Sequence, residues 1–208
     1  MMRTLFMSLL VLVFLAAPIS SFSEDTSLFE RIKLANENVS VIKAAFQQSS
    51  NLSLFNAPLI ASGELILKKP QSLRWEYTSP NASGFILNKG GGLQWTSTGE
   101  NYSIVKTELT PSLRTMANQI LLWINIDEET LTKDFFIKIT ESENPTILLR
   151  PKNKDMAAFI KSIAIELPAS LLGIKIITIT EANNNIITLT FEKAEINPLL
   201  PSTIFKTP

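Results

Sequence analysis

The sequence predicts a mainly β chain with a few helices, its strands gathered into one strongly curved or barrel-like antiparallel sheet. Three observations predict it. The block Gly63–Pro80 holds two alternating apolar–polar segments about a Pro corner, short alternating segments follow to residue 106 and again from 135 to 193, and apolar residues at helical spacing interrupt the series once, after Pro111. About ten strands with so few helices suit a flat two-layer packing poorly, and curvature is the economical answer.

The first element is a leader. Arg3 precedes an apolar run from Leu5 to Ala17, followed by Pro18 and the Ser-rich segment ending at Ser23. The run is about 13 residues, short of the roughly 20 that span a bilayer. Residues 1–23 therefore read as a secretory signal peptide cleaved near Ser23, with an uncleaved anchor as the alternative. Residues 24–208 are then one exported domain.

Leu28, Ile32, Ala35, Val39, Ile42 and Phe46 follow steps of four and three, which predicts a long amphipathic helix capped by Ser27 or Thr26. Val39, Val41 and the region of Phe46 fit the opening of a first strand equally well. Strands are expected over 63–68, 73–78, 84–88, 93–97 and 102–106, with turns between them too short for crossover helices. In the Gly63–Pro80 block Leu65 and Leu67 share one face, Leu73, Trp75 and Tyr77 share another, and Lys69-Pro70-Gln71-Ser72 is the corner. The same pattern fits an ordinary hairpin over a packed core.

Pro111 suits the first turn of a helix carrying Leu113, Met116, Ala117, Ile120, Leu121 and Ile124. This helix fits a lid over the open side of a curved sheet, and routine core packing as well. A short helix begins near Asp127, where Asp127-Glu128-Glu129 favours the positive end of the helix dipole and lacks the spacing of a calcium loop. Strands resume at 135–140, 146–150, 159–167, 172–180 and 186–193, the last two joined by Asn183-Asn184-Asn185.

Composition limits the chemistry. Nineteen basic and nineteen acidic residues balance, so no net charge draws the chain to nucleic acid. No cysteine means no disulfide and no lipidated N-terminal cysteine, and no histidine removes zinc sites of the usual kind and Ser-His triads. No metal or cofactor is expected, and binding is favoured over catalysis.

The leader, the helix ending in Phe46-x-Gln48, Gly63-x-Leu-x-x-Lys-Lys-Pro70 and Trp75 with Pro80 five residues on together resemble the periplasmic outer-membrane lipoprotein carrier family of LolA type. Gly92 and Trp95 are similar to its Gly-x-x-Leu-Trp strand, Leu149-x-Pro151-Lys152 to its Leu-x-Pro-Lys turn, and Asn197 with Phe205 and Pro208 to its closing strand. The resemblance implies an incomplete, highly curved antiparallel barrel closed by the N-terminal helix and the inserted lid helix. Acyl chains of a lipoprotein or other lipid cargo would sit within it.

The cavity is expected to be lined by Leu65, Leu67, Leu73, Trp75, Tyr77 and Trp95 from the sheet and by Leu113, Met116 and Ile120 from the lid helix. The resemblance further implies a basic latch before the corner proline that bonds lid carbonyls, usually Arg and here Lys69, which keeps the charge without the forked donors. A periplasmic monomer is implied, taking cargo from an inner-membrane lipoprotein-releasing transporter to an outer-membrane acceptor lipoprotein. The alternative is a periplasmic carrier or sensor that holds a different lipid or a protein partner on the same concave sheet.

Overall fold

The computed structural model describes residues 26–89, 91–96, 107–108 and 110–206. The leader and the expected strand at 102–106 lie outside the described residues. The chain enters as helix α1 (Leu28–Ala35), then strands β1 (Val41–Asn51), β2 (Leu59–Lys68), β3 (Ser72–Ser79), β4 (Ser83–Asn88), β5 (Gly91–Thr96) and β6 (Thr107–Glu108). Helices α2 (Pro111–Asn125) and α3 (Glu128–Asp134) follow. The second run is β7 (Phe135–Thr140), β8 (Thr146–Pro151), helix α4 (Lys154–Ala157), β9 (Ile160–Glu166), β10 (Ile176–Glu181) and β11 (Ile186–Ile196).

All eleven described strands form one antiparallel sheet in the order β6-β5-β4-β3-β2-β1-β11-β10-β9-β8-β7. It is two meanders zipped together where β11 pairs back onto β1, and β6 and β7 are its edges. Laid flat, such a sheet would be about 48 Å wide at the usual strand spacing. Leu73 and Phe85 of one wing nevertheless join Ile147 and Ile163 of the other in a single buried cluster. The sheet must therefore curl around one core, as an incomplete barrel. Helices α2 and α3 connect its two edges, and Ala117, Ile120 and Leu121 of α2 and Leu131 of α3 enter the same core beside Leu28, Phe29 and Ile32 of α1.

Helix α1 is shorter than its apolar spacing suggested. Ser27 caps it by accepting from the Glu30 N–H at 3.2 Å, and the chain turns out at Asn36, whose N–H returns to the Ile32 carbonyl. Residues expected on the helix, Ile42 and Phe46, belong instead to β1. A step of four residues is also two strand periods, so Ile42 and Phe46 satisfy both patterns, while Ala44 between them fits the strand alone. The β-branched Val39, Val41 and Ile42, and pairing on both edges of β1, decide for the strand.

A later boundary moved as well. The strand expected from Leu172 begins at Ile176, because Leu171 and Gly173 take positive φ values of 57° and 71° after Pro168. Gly63 is required where β2 bulges against β3: a methyl group there would meet the Glu76 carbonyl oxygen at 1.9 Å and the Phe46 ring at 2.8 Å. Asn197 then ties the end of β11 to the α1–β1 connection, its Oδ1 accepting from the Ser40 and Val41 N–H groups and its Nδ2 donating to the Asn38 carbonyl.

Candidate functional site

Sheet register sorts the expected residues onto two faces. Leu65, Trp75 and Phe85 lie side by side across β2, β3 and β4, and Leu67, Leu73 and Leu87 form the next row. Their side chains make the inner wall, with Ile42 and Phe46 of β1 continuing it. Tyr77 stands at its margin, half-buried, with its ring edge-on to Phe46 at 5.3 Å, and Phe46 packs on Trp75 at 4.3 Å. Ile120 of α2 is buried against this wall. The side chains of Leu113 and Met116, on the first turns of the same helix, lie outside the described residues.

Trp95 does not join them. It is paired opposite Gly84 and so lies on the outer face, where a methyl group at Gly84 would meet its ring at 2.4 Å. The Arg74 guanidinium stacks over it, 5.0 Å from the ring centroid. Arg74 is on the face opposite Trp75, as alternation required, yet it is buried. It donates to Glu76 Oε2 at 2.7 Å and to the Ile204 carbonyl at 3.1 Å, while Asn88 Nδ2 donates to the Phe205 carbonyl at 3.1 Å. The C-terminal segment thus crosses the outside of this wing, the face on which Ile66 and Ile86 are buried beside Arg74. An aromatic on an alternating strand reads as apolar wall, and no local signal reveals a covered outer face.

Sequence reasoning also passed over Phe46, Phe85, Leu87 and Phe191. Phe46 was hidden by the helical reading. Phe191 of β11 pairs with Phe46 and stands edge-on to Trp75 at 6.4 Å, a cross-strand contact visible only once β11 returns to β1.

The apolar wall ends in a polar margin. Tyr77 donates to Gln48 Oε1 at 2.8 Å, and Gln48 donates to Ser50 at 3.1 Å. Burial holds the Tyr77 hydroxyl above the usual tyrosine range, against an opposing hydrogen-bond contribution from Trp75. The unfolded chain then releases this proton at lower pH than the folded one. Stability from Tyr77 is fully present below about pH 10 and is lost as pH rises through the folded value. Urea midpoints followed from pH 8 upward are expected to fall above pH 10 in the parent and less steeply in Tyr77→Phe; parallel alkaline limbs would refute this assignment.

At the other end of β1 a cleft of about 560 Å³ opens between α1, the junction of α2 and α3, and the β2–β3 corner. Ile42, Ile124 and Gly173 line both this cleft and a narrow apolar space behind it, which also touches Leu65, Leu67 and Phe191. That inner space holds about 20 Å³ among the described residues, room for little more than one water. Its rim lies at the end of α2, where Ile124 lines both spaces. Gln119 of α2 carries a buried side-chain oxygen with no hydrogen-bond partner among the described residues, an unfavourable arrangement for a helix at rest.

Lys69 reaches this rim, but its ammonium donates to the Asn36 carbonyl, at 3.3 Å, which belongs to the end of α1 and not to the lid helix. Burial lowers its pKa from the usual lysine value. Asp127 caps α3 as its position suggested, accepting from the Thr130 N–H at 2.9 Å and from the Thr130 hydroxyl, and these bonds hold its carboxyl below the usual range. Among the described residues no group of His, Cys, Asp and Glu is placed to hold a metal ion, and no helix is long and apolar enough to cross a membrane.

Residues 37–208 match the family model described as outer membrane lipoprotein carrier protein LolA. The chain is similar to an outer-membrane lipoprotein carrier protein of Francisella tularensis subsp. novicida, 30% identical over 142 residues, or 68% of this chain and 64% of that protein. It is also 30% identical over 159 residues to the corresponding protein of Francisella philomiragia, 76% of this chain and 71% of that one. The match thus spans just under two thirds of the length of the Francisella tularensis relative. Among solved structures, MucB shares the fold at a TM-score of 0.50 and 11% identity, over 90% of this chain and 64% of that one.

Proposed function

We propose that this chain, which belongs to the outer membrane lipoprotein carrier protein LolA family, is a carrier that hides the acyl chains of lipoproteins between its curved sheet and its inserted helix. The observation that carries the reading is the narrow apolar space joined to an open cleft through Ile42, Ile124 and Gly173. Acyl chains gain about 0.8 kcal/mol for each methylene withdrawn from water. A carrier therefore needs apolar area and few orienting polar groups, and Leu65, Leu67, Leu73, Trp75 and Tyr77 present such an area.

The narrow space beside Ile42, Leu65 and Ile124 is too small for an acyl chain as it stands. We infer that the C-terminal end of α2 lifts from Ile42 to admit it, exchanging packing within the protein for packing against the cargo. Leu113, Met116 and Ile120 then travel with the lid while the sheet residues stay. Lys69 acts at the hinge side, holding the end of α1 through Asn36 rather than clasping the lid itself.

Residues 1–23 serve in this reading as a cleaved export leader, and residues 24–208 work in the periplasm as a monomer. An inner-membrane lipoprotein-releasing transporter supplies the cargo and an outer-membrane acceptor lipoprotein receives it. No covalent chemistry is needed. The test is extraction of lipid from purified residues 24–208 together with titration by a fluorescent fatty-acyl probe. Copurified acyl species and saturable probe binding, displaced by a diacylated or triacylated lipopeptide, are expected. Failure of both would sink the carrier reading and favour a surface that holds a protein partner.

A further inference from the structure

The end of the barrel opposite the cleft carries a surface for which the apolar interior gives no account. The eleven residues of β1 run from one end to the other, a separation of about 33 Å. Between Lys43 and Glu64 the chain has no charged residue. The turn within that span exposes Leu54 to 90% and Phe55 to 55%. Turns ordinarily present polar side chains to water, so two large apolar ones together at a loop tip mark a contact surface.

Two hydrogen bonds extend this surface. The Ser53 N–H donates to Asn185 Oδ1 at 2.9 Å, and the Ala182 N–H donates to the Phe159 carbonyl at 2.9 Å. They gather the tip, the β10–β11 turn and Phe159, itself 75% exposed, on one end of the molecule. Lys161 meets the same turn, donating to Asn184 Oδ1 at 3.2 Å. The segment around Phe159 holds Arg150, Lys152, Lys154 and Lys161 against Asp155, with Glu181 of the adjoining turn and Asp134 beside Lys152 as the neighbouring carboxylates, an excess of positive charge. The cleft end has the opposite sign, with Glu30, Glu37, Asp127, Glu128 and Glu129 against Lys33 and Lys69.

We propose that this apolar, cationic end docks on the surface of a bilayer containing anionic phospholipid. Leu54, Phe55 and Phe159 enter the interfacial layer, and the basic residues of 150–161 face the headgroup phosphates. The chemistry favours lipid because an uncharged tip has no ionic group to desolvate, while the flanking positive charge complements an anionic leaflet. The apolar side chains also stand on separate loops, an arrangement that a fluid surface accommodates without a shaped pocket. Few residues take part, so the contact is reversible and weakens with salt. It leaves the cleft facing away from the bilayer, available to a cargo donor or acceptor. The surface is distinct from the interior, and the proposal holds or fails independently of the carrier reading.

The experiment is flotation of residues 24–208, which contain every described element, with vesicles of phosphatidylethanolamine and phosphatidylglycerol. Binding is expected at low salt, at least fivefold weaker to pure phosphatidylcholine vesicles and in 0.5 M salt. The double variant Leu54→Ser with Phe55→Ser, and separately Lys154→Glu with Lys161→Glu, should each lose at least fivefold while retaining the parent's far-ultraviolet dichroism and fatty-acyl probe binding. No flotation of the parent, or flotation unchanged in both variants, overturns the proposal. Binding confined to native membranes and abolished by prior protease treatment of them also overturns it, and assigns the surface to a protein.

Discussion

Uptake of a fatty-acyl probe is expected to fall at least tenfold when cysteines introduced at Ile42 and Ile124 are joined by a short bis-maleimide. The two side chains line both the cleft and the narrow apolar space behind it, one on the sheet and the other near the end of α2. Fastening them together blocks the movement that creates room for a chain. The chain has no cysteine of its own, so the introduced pair reacts alone. The uncross-linked double variant controls for the substitutions, and either single variant treated with the reagent controls for its bulk. Probe uptake that survives complete cross-linking would place the entrance elsewhere on the barrel.

The largest stability effect is expected outside the cavity, at Arg74. Replacing it with Ala removes the stack on Trp95, leaves the half-buried Glu76 without its partner and strips the Ile204 carbonyl of a donor. Glu76 keeps partial access to water, so the loss is that of hydrogen bonds to a charged group, about 2 kcal/mol, which for a chain of this size is roughly 4–8 °C in Tm. Truncation after Asn197 should make Arg74→Ala less costly, because the C-terminal segment that buries the guanidinium is then gone. A double-mutant cycle on urea midpoints reads that coupling. Equal costs with and without the segment would show that the tail contributes nothing at this position.

Much of the fold was legible because strands announce themselves by alternation. Period two set Leu65 with Leu67 and Leu73 with Trp75, the resemblance made them one wall, and register lays the two pairs side by side. The helix behind Pro111 and the Asp127 cap followed from equally local rules. Misreadings arose where local patterns were degenerate or silent. Ile42 and Phe46, four apart, fit a helix and a strand alike, and only pairing with β2 and β11 chose between them. Trp95 carried a perfect strand signature, but alternation tells which residues share a face and never which face is inside. The resemblance implied that Lys69 latches the lid, yet the carbonyl it bonds is that of Asn36 at the end of α1, across a contact that no spacing encodes.

By itself the sequence determined the antiparallel meanders, the interrupting helix, the absence of histidine and cysteine chemistry and the likeness to a family of carriers, because these depend on short-range periodicity, composition and motif. Tertiary structure alone decided that β11 closes back on β1, that Ile124 of α2 meets Ile42 at the mouth of a narrow apolar space, and that the C-terminal segment crosses the outer face around Arg74. The physical reason is that closure and burial are set by contacts between residues far apart in the chain, where one polar or aromatic side chain is inside or outside according to what returns to cover it.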